Sequence, residues 1–323
     1  MAVAVVKASH CPVFVTDNEV GNNDYNMING KAAKQGDWLV LEKPLKKYPE
    51  SQLVLYSLID QREIPLNMDS LYVGQVSNIS ISGRQIYYKK LINGAQDSVL
   101  ASYNLNTHEE TVISTSAGPY MVYSNQIFSI EQLSNEVDAL MVYDAATLET
   151  KAISSGQFRY INVVDDTVFY FDTAKSMLMS YDIDTEETTD IYQYSEGYID
   201  NVIRVNESEI WFKCNGDDHV STILKMNLVS GELNQVFSGE LCLSFAIKDD
   251  TLYLNLAAGI ASLDPISLEK KTILSFGDPD VSWGNVAFFD TCIVVHFDEI
   301  VDSYLKTTIL IHDYDGNVLH TIP

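Results

Sequence analysis

The chain has 323 residues, is 46% hydrophobic and 20% charged, and carries a formal net charge of −25 at pH 7. Such a field repels nucleic-acid phosphates and anionic lipid, so neither is an expected partner; it suits a basic protein or cations. Mean hydropathy is −0.02, and no apolar run approaches the roughly 20 residues of a membrane-crossing helix, so no membrane insertion is expected.

In chain order, residues 1–22 come first as a separate segment. AVAVV (2–6) is too short for a secretory apolar core, and His10 stands where a lipobox needs a small residue before Cys11. CPVFVT (11–16) reads as a strand able to latch a ring closed. From residue 23 to 323 the chain reads as one domain. Within it a twelve-residue pattern occurs seven times: LYSLIDQREIPL, SYNLNTHEETVI, VYDAATLETKAI, SYDIDTEETTDI, KMNLVSGELNQV, SLDPISLEKKTI and IHDYDGNVLHTI. Its second position is Tyr56, Tyr103, Tyr143, Tyr181, Met226, Leu263 and His312, a mean spacing of about 43 residues, which falls in the range of propeller blades. Its third position is Ser57 and then always Asn or Asp, residues that hydrogen-bond their own backbone in turns. Its last position is always aliphatic. Each unit therefore predicts strand, short polar turn, strand.

Two further strands precede each pattern. The nearer one runs DWLVLE, RQIYYK, QIFSI, DTVFYF, SEIWF, DTLYL and DTCIVV. Five of these set an aliphatic residue directly before an aromatic, as in Ile86-Tyr87, Ile127-Phe128, Val168-Phe169, Ile210-Trp211 and Leu252-Tyr253. The farther one begins at INGKAAK (28–34), SNISIS (77–82), YMVYS (120–124), YINVV (160–164), DNVIRV (200–205), LSFAI (243–247) and GNVAFF (284–289). No stretch holds a 3.6-residue apolar period. Four strands in each of seven repeats predict an all-β fold, a seven-bladed β-propeller of four-stranded antiparallel blades.

Charge is uneven: residues 1–100 balance ten basic against ten acidic side chains, so residues 101–323 hold the whole −25. Cys11, Cys214, Cys242 and Cys292 form no CxxC pair and read as reduced, buried thiols. Unpaired thiols and the absent leader favour a cytoplasmic, monomeric protein; a mature extracytoplasmic chain with its signal removed is the alternative.

The segment NNDYNMINGKAAKQGDWLVLEK (22–43), with later units such as RYINVVDDTVFYFD (159–172), resembles the DUF5050 propellers of low-GC Gram-positive bacteria, relatives of the YWTD propellers. That resemblance implies a binding scaffold and brings no catalytic residues with it.

In a propeller the connections between second and third strands share one face with the crossings from blade to blade. Here those connections look irregular (43–52, 91–98, 131–138, 215–221, 298–307), which marks that face for binding. The crossings carry Tyr72, Tyr120, Phe158, Arg159, Tyr160, Tyr198 and Trp283, the candidate ligand-binding residues at the channel mouth. Arg159 is expected to pair with Asp165 or Asp200; binding a ligand carboxylate is the alternative. Searches for chemistry find no zinc spacing among the six histidines, no calcium loop in DYDGN (313–317), and no P-loop or nucleophile elbow. No cofactor and no metal is expected; the acidic tip Asp217-Asp218-His219 is the weak metal candidate. The expected function is non-catalytic recognition of a protein, peptide or glycan. The alternative is a glycan-active lyase or hydrolase with paired carboxylates at the channel mouth.

Overall fold

The computed structural model describes residues 30–44, 51–66, 76–91, 98–134, 137–164, 166–216, 220–277, 282–301 and 304–322. They form seven sheets of four antiparallel strands, each sheet built in chain order from one repeat, which is a seven-bladed β-propeller. We name the strands of each blade a to d, with a nearest the axis. Blade 1 comprises Ala32–Gln35, Trp38–Pro44, Ser51–Ser57 and Arg62–Pro65; blade 2, Val76–Ser82, Gln85–Leu91, Ser98–Asn104 and Glu110–Ser114. Blade 3 comprises Ala117–Tyr123, Gln126–Ser134, Val137–Asp144 and Thr150–Gly156; blade 4, Phe158–Val164, Thr167–Asp172, Met177–Asp182 and Thr188–Gln193. Blade 5 comprises Gly197–Asn206, Glu209–Gly216, Ser221–Asn227 and Leu233–Gly239. Blade 6 comprises Cys242–Lys248, Thr251–Leu256, Gly259–Leu263 and Lys270–Ser275. Blade 7 comprises Ser282–Phe288, Ile293–Val301, Tyr304–His312 and Val318–Ile322.

The core is divided among the gaps between blades. Each apolar cluster among the described residues draws on two neighbouring blades, and together they fill all seven gaps. The aliphatic–aromatic dipeptide of strand b makes this arrangement. Successive side chains on a strand point to opposite faces. Ile86 therefore packs towards blade 1 and Tyr87 towards blade 3. Ile127 packs towards blade 2 and Phe128 towards blade 4. Val168-Phe169, Ile210-Trp211 and Leu252-Tyr253 repeat the scheme around the ring.

The c–d turns share one geometry. The side chains of Asn104, Asp144, Asp182, Asn227, Asp264 and Asp313 accept backbone N–H bonds from residues two to four positions on, at 2.7–3.1 Å. Ser57 does the same through its hydroxyl, 3.1 Å from the Asp60 amide. These bonds hold the carboxyls of Asp144, Asp182 and Asp264 below the usual carboxylate range, as the Asn317 side chain and the turn amides do for Asp313. DYDGN is thus a turn of the common kind. The residue four places after each Asx takes a left-handed φ in five consecutive blades: His108, Leu148, Glu186, Gly231 and Leu268.

In two expected loops the described residues are strand. Residues 131–134 and 137–138 continue the ladder of blade 3, with Glu131 opposite Ala139 and Gln132 opposite Asp138. Residues 298–301 and 304–307 continue that of blade 7, with Asp298 opposite Thr307. Their polar composition reads as loop, but backbone pairing carries both ladders into them.

Blades 7 and 1 close the ring by packing. Ala32, Leu39 and Leu41 meet Ala287, Val294 and Ile309, and Lys34 Nζ reaches Asp290 at 2.5 Å. The buried His296 donates from Nε2 to the carbonyl of Glu42 across the seam at 2.9 Å; a carbonyl only accepts, so Nε2 carries a proton, and burial disfavours a second one on the ring. CPVFVT (11–16) lies outside the described residues. Cys214, Cys242 and Cys292 are buried, and burial pushes the first two thiols up to about 12; Cys11 lies outside the described residues.

Two outcomes follow from this framework. Leu268 is 58% exposed and sits at positive φ. Leu268→Gly should therefore raise stability by about 0.5–1 kcal/mol, as read by urea denaturation, because relief of left-handed strain exceeds the entropy cost of glycine. Burial, reinforced by nearby Lys31, pushes the His296 imidazole down to about 3. A depressed histidine value contributes stability that is present above the unfolded value near 6.5 and is lost as pH falls towards 3. Glu42, raised by burial, acts with the opposite sign, and Lys31 and Asp298 face the same seam. Comparison with His296→Gln isolates the imidazole: the parent should lose about 2 kcal/mol more than the variant between pH 7 and pH 5. Equal losses would mean the imidazole titrates normally.

Candidate functional site

Strand a departs from regular pairing in five consecutive blades. An extra residue enters between Ser77 and Ser80, between Ala117 and Tyr120, between Phe158 and Ile161, between Asp200 and Ile203, and between Cys242 and Ser244. The first, innermost strands of blades 1 and 7 pair without interruption. Asn78 and Asn201 take left-handed φ values of 52° and 49° at these bulges, a conformation asparagine tolerates well.

A bulge leaves backbone groups unpaired in its own blade, and buried ones need partners. The adjacent blade supplies them. The Tyr120 hydroxyl donates to the Asn78 carbonyl, and the Val202 amide donates to the Tyr160 hydroxyl at 2.9 Å. Asn162 Nδ2 donates to the Val202 carbonyl at 2.7 Å, and Asn201 Nδ2 to the Leu243 carbonyl at 3.4 Å. Lys213 Nζ donates to the carbonyls of Cys242 and Leu243 at 2.7 and 2.9 Å. The same ammonium lies 3.2 Å from Asp200 Oδ1. Burial pushes the Asp200 carboxyl above the usual carboxylate range, and Lys213 with the side chains of Asn215 and Asn201 pulls it part of the way back.

The bulges surround a cavity of about 410 Å³ at the axis, lined by strand a of blades 2 to 7 together with Lys213, Asn215, Leu241 and Asn255. Its volume is at the small end of the roughly 300–1,000 Å³ usual for ligand sites. Of the expected mouth residues, the structure brings four together here: Tyr120, Arg159, Tyr160 and Tyr198. Phe158 is instead buried between blades 3 and 4, edge-on to Tyr170 at 5.2 Å, because it precedes the bulge and points the other way from Arg159. Tyr72 and the Trp283 side chain lie outside the described residues.

Arg159 does not pair with Asp200, whose partner is Lys213; Asp165 lies outside the described residues. Its guanidinium carbon stands 3.7 Å from the centre of the Tyr198 ring. Among the described residues it makes no ion pair, so it is an exposed cation on the wall of the cavity. Lys43, in the 43–52 connection, pairs with Glu63 at 2.8 Å; Lys46 and Lys47, like Asp217-Asp218-His219, lie outside the described residues. Among the described residues no three His, Cys, Asp or Glu side chains come together to hold a metal.

Sequence reasoning did not single out Lys213, Asn215, Leu241, Leu243 or Asn255. Lys213 alone carried a signal, a basic residue inside the apolar run IWFKC.

No family model matches the chain, and no curated protein matches it. Solved structures resemble it. An oligogalacturonate lyase in complex with manganese is 14% identical with a TM-score of 0.60, over 87% of each chain. An oligogalacturonate lyase from Vibrio parahaemolyticus is 16% identical with a TM-score of 0.58, over 91% of this chain and 90% of that one. The β-propeller domain of the trilobed protease from Pyrococcus furiosus, described as having an open velcro topology, is 13% identical with a TM-score of 0.58, over 91% of this chain and 93% of that one. At such identities the likeness is one of fold.

The Asp200–Lys213 pair gives a direct test of how the cavity wall is held. Lys213→Met should cost about 3–5 kcal/mol in urea denaturation, since it strands a buried carboxylate and two bulge carbonyls. Adding Asp200→Asn should restore part of that loss, giving a coupling energy well above the error of the cycle. A double variant no more stable than Lys213→Met would show that the carboxylate is not what the ammonium compensates.

Proposed function

We propose that this chain is a non-catalytic binding scaffold that recognises a protein, peptide or glycan at the axial cavity. The observation that carries the reading is Arg159: a cation without an ion pair among the described residues, set over Tyr198, in a preformed cavity whose polar wall is mostly committed to structure. Asp200 is the one carboxylate among the described lining residues, and it is already paired. A glycoside-cleaving site needs two carboxyls roughly 5–10 Å apart, one of them free to move a proton. The second is missing among those lining residues, so the hydrolase form of the alternative draws no support from them.

The same reading takes residues 23–323 as one ring, with 1–22 as its closing segment, and groups the chain with the DUF5050-like bacterial propellers on the strength of its repeat. The acidic later blades suit a basic partner, with the chain itself monomeric.

Peptide and glycan arrays probed with the labelled protein test this. A ligand should be found, and Leu243→Trp, which sets an indole at the cavity rim, should weaken it about tenfold or more while leaving the thermal midpoint unchanged. A ligand indifferent to that substitution, or no ligand on any array, would count against the axial cavity as the binding site.

A further inference from the structure

The cavity wall specifies a ligand class, given the reading above that it binds rather than reacts. Three features converge on it. The first is Arg159, an exposed cation without an acidic partner among the described residues. Its planar fork of donors matches a carboxylate in two parallel bonds. The second is Asn255, buried at 3% exposure in the lining. One end of its amide bonds the Ser244 hydroxyl at 3.3 Å, and the other has no partner among the described residues. Turning the amide over exchanges which end is bonded but leaves one still unsatisfied. A peptide group offers both an N–H and a C=O and satisfies either orientation. The third is a pair of aliphatic side chains, Leu241 and Leu243, 38% and 47% exposed on the same lining.

The aromatic rings do not offer a platform for a sugar. The Tyr120 and Tyr160 rings are almost wholly buried and their hydroxyls are engaged by neighbouring blades. Arg159 covers a face of Tyr198. Among the described lining residues, then, there is no open ring face, while a charge, a peptide-like polar group and an aliphatic wall are all present.

We propose that the axial cavity binds a peptide carboxylate beside an aliphatic side chain: Arg159 pairs the carboxylate, Asn255 meets the adjoining peptide group, and Leu241 and Leu243 cover the aliphatic side chain. The net charge of −25 opposes an anion at long range. At physiological salt the Debye length is about 8 Å, so nearby charges decide, and the one carboxylate among the described lining residues faces its own ammonium at 3.2 Å. The carboxylate can come from a chain end or from an Asp or Glu side chain, a difference the test below resolves.

Titration calorimetry with four probes tests it: acetyl-Gly-Ala-Leu as the free acid, the same peptide as its C-terminal amide, acetyl-Gly-Glu-Leu amide, and an uncharged malto-oligosaccharide. The free acid should bind, and its amide should bind about tenfold or more weakly. Binding of the Glu-Leu amide in place of the free acid upholds carboxylate recognition and assigns it to an acidic side chain. Arg159→Met should abolish the preference for the charged probe and Arg159→Lys should restore only part of it, with both variants keeping the parent's thermal midpoint. Equal affinity for free acid and both amides, or no binding by any peptide, would overturn the proposal. Binding of the oligosaccharide with the peptides silent would overturn it too, while leaving the cavity's role as a binding site intact.

Discussion

A four-stranded blade has two broad faces and no interior of its own, so everything in this molecule follows from the need to cover both. A globular core lets one face of a sheet stay wet; a ring of blades does not. Strand b meets the demand by placing an aliphatic residue and an aromatic in succession, which the alternation of a strand sends to opposite gaps. Ile127 and Phe128 are adjacent in the chain yet belong to different cores. The gaps from blade 2 to blade 6 thus receive an aromatic from one b strand and an aliphatic from the next. A blade removed from the ring would expose both sets together, so stability belongs to neighbouring pairs rather than to single repeats.

The same radial packing leaves the axis crowded with strand ends, and the five bulges relieve it. A bulge re-aims the chain but strands its amides and carbonyls. Because neighbouring blades lie close there, side chains of one blade reach the backbone of the next: Tyr120 to Asn78, Tyr160 and Asn162 to Val202, Asn201 and Lys213 to Leu243. These contacts link blades 2–3, 4–5 and 5–6, in the arc where the bulges lie, and they line the cavity. The polar wall is therefore mostly structural. What it leaves over among the described residues includes Arg159, Asn255 and the two leucines, and recognition at the axis draws on that remainder.

The repeat, the blade count, the four strands and the turn geometry were legible in the amino-acid order. They rest on short-range rules: alternation within a strand, and the bond from an Asn or Asp side chain to its own backbone, which recurs in every blade from the second to the seventh. The candidate site was legible in part. Four of the seven expected side chains line the cavity because blade crossings bring inner-strand starts to the axis in any propeller. Phe158 is misread because an extra residue in the strand shifts the alternation, and the apolar pattern resumes only after the bulge. That shift also explains why the inner strands were expected to start near 77, 120, 160, 200 and 243, at the bulges themselves, when pairing begins earlier in all five.

Sequence by itself determined which faces are apolar and where the chain turns, since each depends on residues a few positions apart. Only the tertiary structure decided which charges are spent and which are free. Lys213 claims Asp200 from the neighbouring strand and two carbonyls from the next blade, while Arg159, expected to be paired, is left over Tyr198 from another blade. Those partners lie 13 to 39 positions apart in the chain. Their pairing depends on distances between elements that local pattern does not encode.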